Sequence, residues 1–293
     1  AIGYLALQNL GNGTTYSGIR NTAVGYEAGG SGVWGGGSNG NGDDNVVLGY
    51  RAGYATTTGT DNVIIGSSAG AAITTGKNCV LIGKGAGVAM VGNTYNIAIG
   101  RNAMAAADND ESGNIAIGDG ALESEAGGAD YCVAVGYAAL SLQNGNVKNT
   151  AIGGYAGDAI VGGDENTYVG YLSGSASAGT DGNTALGHLA YAKGTGASNV
   201  VIGQRAGSST NNAGAGMTGN NNVLVGAYAG YDLTDGPGNV LIGASAGENM
   251  TTGDYNVAIG YAAADALAGD SDSNIAIGKD ALGAEDLGSY NIA

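Results

Sequence analysis

Apolar residues arrive along this chain in short bursts, each closed by a glycine and followed by a polar stretch. The bursts "NVIIG" (62–66), "CVLIG" (79–83) and "NIAIG" (96–100) are spaced by seventeen residues. Aligned on the closing glycine, the phrase returns at Gly3, Gly25, Gly49, Gly66, Gly83, Gly100, Gly118, Gly136, Gly153, Gly170, Gly187, Gly203, Gly226, Gly243, Gly260 and Gly278. Another copy starts at Asn291. The longer steps lead into Gly25, Gly49 and Gly226, and mark inserted loops at about 8–20, 30–44 and 208–221.

Each slot has its own rule. Asn stands four residues before the glycine, as at Asn62 and Asn96, except where Cys79 and Cys132 replace it. Val, Ile or Thr follows, then a variable apolar residue, then Ile, Val or Leu, as at Ile65 and Ile99. Gly66 and Gly100 close these two phrases, and Ala69 and Ala103 stand three residues later, a slot filled by Ser only at Ser173. A burst this short is a strand rather than a helix, and β-branched side chains suit a pleated surface. The glycine permits a sharp corner or a close backbone approach. A second short strand carrying the Ala is expected next, then a loop of Gly, Asn, Asp and Thr. One repeat is therefore one coil, and the chain reads as an all-β parallel β-solenoid of about sixteen coils, one continuous domain over 1–293. At ~4.7–4.9 Å per strand the stack would run roughly 75–80 Å. A propeller blade needs about 40 residues, which this period disfavours. The ladder slot has two readings: Asn side chains stacking coil on coil, or Asn capping its own turn.

Strand side chains alternate between faces. The two strict slots thus share one face and the variable slot points to the other. Both faces are apolar, as in strands buried on both sides. A slim solenoid buries one face alone, so the second face calls for a partner chain. The variable slot also trades volume with the residue four after the glycine. Val47 goes with Gly53, Ile64 with Gly70, Leu81 with Gly87, Tyr168 with Gly174, Val201 with Gly207, Leu224 with Gly230 and Leu241 with Gly247. Conversely, Ala98 goes with Met104, Ala116 with Leu122, Ala134 with Leu140 and Ala276 with Leu282. Close packing demands such trading of side chains that share one layer, within a chain or across an interface. Ala23 with Gly29 and Ala151 with Gly157 break the rule.

The phrases "NTAVGYEAG", "NIAIGRNAM", "NIAIGDGAL" and "NVAIGYAAA" resemble the YadA-like head repeats of trimeric autotransporter adhesins, and equally the Gly-rich repeats of phage tail fibres and of large bacterial surface proteins. The resemblance covers the whole chain. It implies a left-handed β-roll with three chains side by side, a homotrimer. The family repeat is usually shorter than seventeen residues, and the chain shows no neck, coiled-coil stalk or membrane anchor.

Composition narrows the picture. Gly supplies 60 of 293 residues, Phe is absent, and the net charge is −16. Nucleic acid demands a basic footprint, and none is present. The charge suits a solvated, soluble surface. No apolar run reaches the ~18 residues of a membrane span, so no direct membrane insertion is expected. The chain has no basic leader, opens "AIG" and closes "NIA", and reads as an excerpt of a longer polypeptide.

Candidate chemistry is sparse, and no enzyme is expected. His188 occupies a surface slot, and "GKGAG" (83–87) is built from repeat positions rather than a phosphate loop. Cys79 and Cys132 stand three coils apart, too far for a disulfide, and are expected as buried or half-buried thiols or as contacts between copies in a trimer. Asp108, Asp110, Ser112 and Asp119 stand at EF-hand-like offsets and are the candidate Ca²⁺ ligands, although 114–117 belong to a repeat strand. No other cofactor is expected. Tyr26, Tyr50, Tyr137, Tyr171 and Tyr261 each follow a corner glycine, as contact rows for glycans or proteins or as covers for strand edges and chain interfaces. Trp34, in an inserted loop, is the best single contact candidate. The expected function is a structural or adhesive segment of an extracellular, cell-surface or virion fibre: a rigid trimeric rod that projects, or a head that binds a host or neighbouring-cell glycan or protein. The alternative is a monomeric solenoid that binds glycan, protein or ice through exposed loops and Tyr rows.

Overall fold

The computed structural model describes residues 1–8, 18–31, 34, 42–107, 111–124, 127–128, 130–145, 148–177, 179–208, 216–267, 269, 271–283 and 288–293. Among the described residues the protein is all-β, with fifteen three-residue strands, one for each repeat from Gly25 to Gly278. The chain divides into two compact units, Ala1–Lys148 and Asn149–Ala293. The first holds β1 (Thr22–Val24), β2 (Val46–Leu48), β3 (Val63–Ile65), β4 (Val80–Ile82), β5 (Ile97–Ile99), β6 (Ile115–Ile117) and β7 (Val133–Val135). The second holds β8 (Thr150–Ile152), β9 (Thr167–Val169), β10 (Thr184–Leu186), β11 (Val200–Ile202), β12 (Val223–Val225), β13 (Val240–Ile242), β14 (Val257–Ile259) and β15 (Ile275–Ile277). Within each unit successive strands pair in parallel, slot against slot: Val63, Ile64 and Ile65 face Val80, Leu81 and Ile82. Ile2 bridges to Val24, and Ile275 bridges to Ile292. Each unit is thus a parallel β-solenoid with the seventeen-residue repeat.

The corner glycines have φ near +135°, a region closed to other residues. They also stack tightly. A Cβ on Gly66 would sit 2.4 Å from the Gly83 carbonyl oxygen, and one on Gly83 would sit 2.3 Å from that of Gly100. Conformation and close approach together require glycine in this slot.

The stretch after the corner is not a second strand. Residues two and four past the glycine take left-handed φ: Glu27 at 50°, Gly29 at 60°, Asn102 at 57° and Met104 at 52°. That conformation costs a residue with a Cβ roughly 1–2 kcal/mol. Here it turns every second N–H group to a neighbouring coil. Asn102 N–H donates to Lys84 O on one side, and Met104 N–H donates to Ala121 O on the other, both at 3.0 Å. The segment is bonded coil to coil without being extended.

The Asn slot forms a buried ladder. Asn62 Nδ2 donates to Asn45 Oδ1 at 3.0 Å, and Asn256 Nδ2 to Asn239 Oδ1 at 3.2 Å. The same oxygen accepts from the backbone N–H of the next coil, as Asn45 Oδ1 does from Asn62 N–H at 3.1 Å. The second amide hydrogen goes to a loop carbonyl, as from Asn62 to Gly76 O at 2.8 Å. An interior amide is tolerated because its donors and acceptor are matched.

The middle residue of every strand is buried and its two neighbours are not. The variable slot therefore lines the core, and the volume trade takes place within one chain. A Cβ on Gly70 would meet Leu81 Cδ1 at 2.8 Å, and one on Gly174 would meet the Tyr168 ring at 2.6 Å. A third slot, seven residues past the corner, joins the trade. Ile73, Met90, Ile160, Leu233, Met250 and Leu267 fill it, all buried. Ile160 therefore stands where both Ala151 and Gly157 are small. In the coil of Ala185 and Tyr191 the third slot is Gly194, where a Cβ would lie 2.0 Å from the Tyr191 ring.

Two described residues of inserted loops, Trp34 and Met217, enter the same core. Trp34 is fully buried; a Cβ on Gly29 would meet its Cζ2 at 2.6 Å, and its Nε1 donates to Gly29 O at 2.9 Å. It occupies the space that Ala23 and Gly29 leave empty. Met217, at the end of the 208–221 insertion, is also fully buried, with its sulfur 3.7 Å from a Cβ built on Gly207.

Candidate interaction face

The outward residues of each strand are the strict slots. Val24, Ile117, Ile152, Leu186, Ile242 and Ile259 are each more than a third exposed, and Ile277 is 58% exposed. Among the described residues no strand carries a charged residue. Each unit therefore shows solvent a band of Val, Ile, Leu and Thr, two columns wide, on a chain whose net charge is −16. Contiguous apolar surface of this kind marks an interaction site in soluble proteins.

A further column follows the corner glycine, and all five tyrosines predicted there are exposed: Tyr26, Tyr50, Tyr137, Tyr171 and Tyr261. Several of their rings meet side chains of neighbouring coils. Tyr4, Tyr26 and Tyr50 stack in sequence, with centroids 5.4 and 5.5 Å apart. Tyr171 stacks on His188 at 5.8 Å, and Lys279 lies over Tyr261 at 5.9 Å. In the same column Arg101 pairs with Asp119 at 2.8 Å. Tyr26, between Tyr4 and Tyr50, has a stacked ring on each side. A second exposed tyrosine set, Tyr95, Tyr131, Tyr255 and Tyr290, stands just before the Asn slot. Two of these rings lie on a glycine of the preceding coil, since Cβ atoms on Gly113 and Gly238 would meet Tyr131 and Tyr255 at 3.0 and 2.6 Å.

Trp34 is a core residue rather than a surface contact, because the coil behind it lacks any other large side chain. Of the candidate Ca²⁺ ligands, Asp108 and Asp110 lie outside the described residues. Ser112 and Asp119 are on either side of β6 and are engaged elsewhere: the Ser112 hydroxyl is hydrogen-bonded with that of Thr94 at 3.2 Å, and Asp119 holds Arg101. Among the described residues no group of three or more His, Cys, Asp or Glu is placed to hold a metal ion. Cys79 and Cys132 are buried and form no disulfide among the described residues, and burial pushes the Cys79 thiol up from its ordinary value. Both interrupt the Asn ladder while keeping half its bonding: Cys79 N–H donates to Asn62 Oδ1 at 2.9 Å. Among the described residues no helix is long and apolar enough to cross a membrane.

Two features escaped the reading of the sequence. One is the third core slot, whose signal was present as a large apolar residue at a constant offset from the glycine. The other is a polar column six residues before the glycine, where a side chain accepts from the preceding coil's N–H, as Asp181 Oδ1 does from Asp164 and Asp272 Oδ1 from Asp254, both at 2.9 Å. No protein-family model, curated protein or solved structure matches the chain.

Proposed function

We propose that this chain is a structural or adhesive segment of an extracellular or virion fibre, without enzymatic activity, in which copies pack side by side through the outward strand face. The observation that carries this reading is that the two outward strand slots, although facing solvent in the single chain, hold only Val, Ile or Thr and only Val, Ile or Leu in every strand. Inside the coil the variable slot ranges from Ala to Tyr. Packing within the chain does not require the strictness outside, whereas a regular partner does. Three chains are expected, because the phrase resembles trimeric head repeats. Light scattering on the purified segment, from dilute to concentrated, tests this. A stable mass three times the 28.2 kDa chain is expected; a monomer at every concentration would overturn it.

The exposed tyrosine columns favour a second reading, a binding module for a glycan or protein. Its contacts would run through the phenol hydroxyls of the column that follows the corner glycine. Replacing Tyr137 and Tyr261 with Phe would then weaken retention on the bound surface and leave the fold intact. Unchanged retention would remove these residues from the contact.

A further inference from the structure

Three tyrosines on consecutive coils of the first unit form a continuous stack on the surface. Tyr4, Tyr26 and Tyr50 are 66%, 45% and 51% exposed, and their rings are inclined by only 21° and 13°. The other close tyrosine pairs differ in kind: Tyr155 meets Tyr171 edge-on at 89°, and Tyr231, beside Tyr228, is only 8% exposed. Tyr95, Tyr131 and Tyr255 are just as exposed as the stack, and among the described residues no ring stacks on them.

We propose that the Tyr4–Tyr26–Tyr50 stack is a site of oxidative cross-linking, at which a peroxidase-class oxidant using hydrogen peroxide joins phenols of neighbouring coils. Each of two adjacent phenols gives up one electron and its hydroxyl proton, leaving two phenoxyl radicals. These couple through the ring carbons beside the hydroxyls, and both rings regain aromaticity as the coupled carbons' hydrogens shift to the oxygens. Hydrogen peroxide takes the two electrons and two protons and leaves as two waters. The coil register holds the partners side by side before oxidation, so coupling does not wait for an encounter between molecules. The central tyrosine also has a built-in base. The Glu27 carboxylate, hydrogen-bonded to Tyr26, holds that phenol above its ordinary value and is placed to take the proton as the electron leaves. Glu27 is itself held by Arg51 at 3.1 Å. The product would staple two neighbouring coils covalently.

The test is to treat dilute folded protein with a haem peroxidase and hydrogen peroxide, then read dityrosine fluorescence and map cross-linked peptides. The expected product is a single-chain species lighter by two hydrogens, joining Tyr26 to Tyr4 or Tyr50. Tyr26→Phe, which removes the centre of the stack, should lose most of the fluorescence, and Tyr95→Phe should lose little. Glu27→Gln should slow the reaction without moving its position. Unchanged yield in Tyr26→Phe, or coupling chiefly between molecules through Tyr95, Tyr131 or Tyr255, would overturn the proposal.

Discussion

Ile64 and Ile65 are neighbours of the same chemistry on opposite faces of β3. Ile64 is fully buried, and its slot holds Ala, Val, Leu or Tyr in other coils. Ile65 is half-exposed, and its slot holds only Ile, Val or Leu. The difference teaches that strictness in a repeat does not measure burial within the chain. Three side chains share each interior layer, so any one of them can shrink when another grows. The outward slots have no such partner in their own chain to absorb a change.

The comparison can be broken or sharpened by substitution, with denaturant midpoints as the readout. The corner sets the scale. Gly66→Ala forces a Cβ into the Gly83 carbonyl at a φ reserved for glycine, with an expected loss of about 3 kcal/mol or more. The interior comes next. Leu81→Ala is expected to cost about 3 kcal/mol through the cavity it leaves. Adding Gly87→Met and Met90→Ala rebuilds the Ala98, Met104, Ala107 set of the following coil and should recover much of that loss. Failure of the triple variant to improve on Leu81→Ala would refute the volume trade. Asn62→Ala breaks the ladder at one rung and leaves the Cys79 N–H without its acceptor, at roughly 1–3 kcal/mol. The smallest effect belongs to the outward face: Ile65→Thr in the isolated chain should stay within about 0.5 kcal/mol.

Much of this was legible in the sequence. Coil length, parallel register, the glycine corner and the pairing of Ile64 with Gly70 all follow from fixed spacing, because coils stacked slot on slot repeat their sterics along the chain. The Asn ladder was one of two readings, and the structure adds that each amide also reaches a loop carbonyl. Trp34 was misread because an insertion breaks the register, and no spacing rule says that its side chain returns to the core. The expected second strand failed for a different reason. Left-handed φ at Glu27 or Met104 is set by coil-to-coil bonding, and neither residue type announces it. The outward band was visible as the strict slots, whereas the contacts of the tyrosine rings depend on which neighbours stack, as with Tyr171 on His188.

The division of labour between the two faces is tested most directly by native mass, measured by light scattering on two variants. One carries the inward change Ile64→Ala; the other carries the outward pair Ile65→Lys and Ile99→Lys, two coils apart. The account predicts that Ile64→Ala keeps the mass of the unaltered assembly and unfolds more easily, while the lysine pair falls to a single-chain mass with its β circular dichroism intact. A lysine pair that keeps the unaltered mass, or that unfolds as Ile64→Ala does, would contradict it.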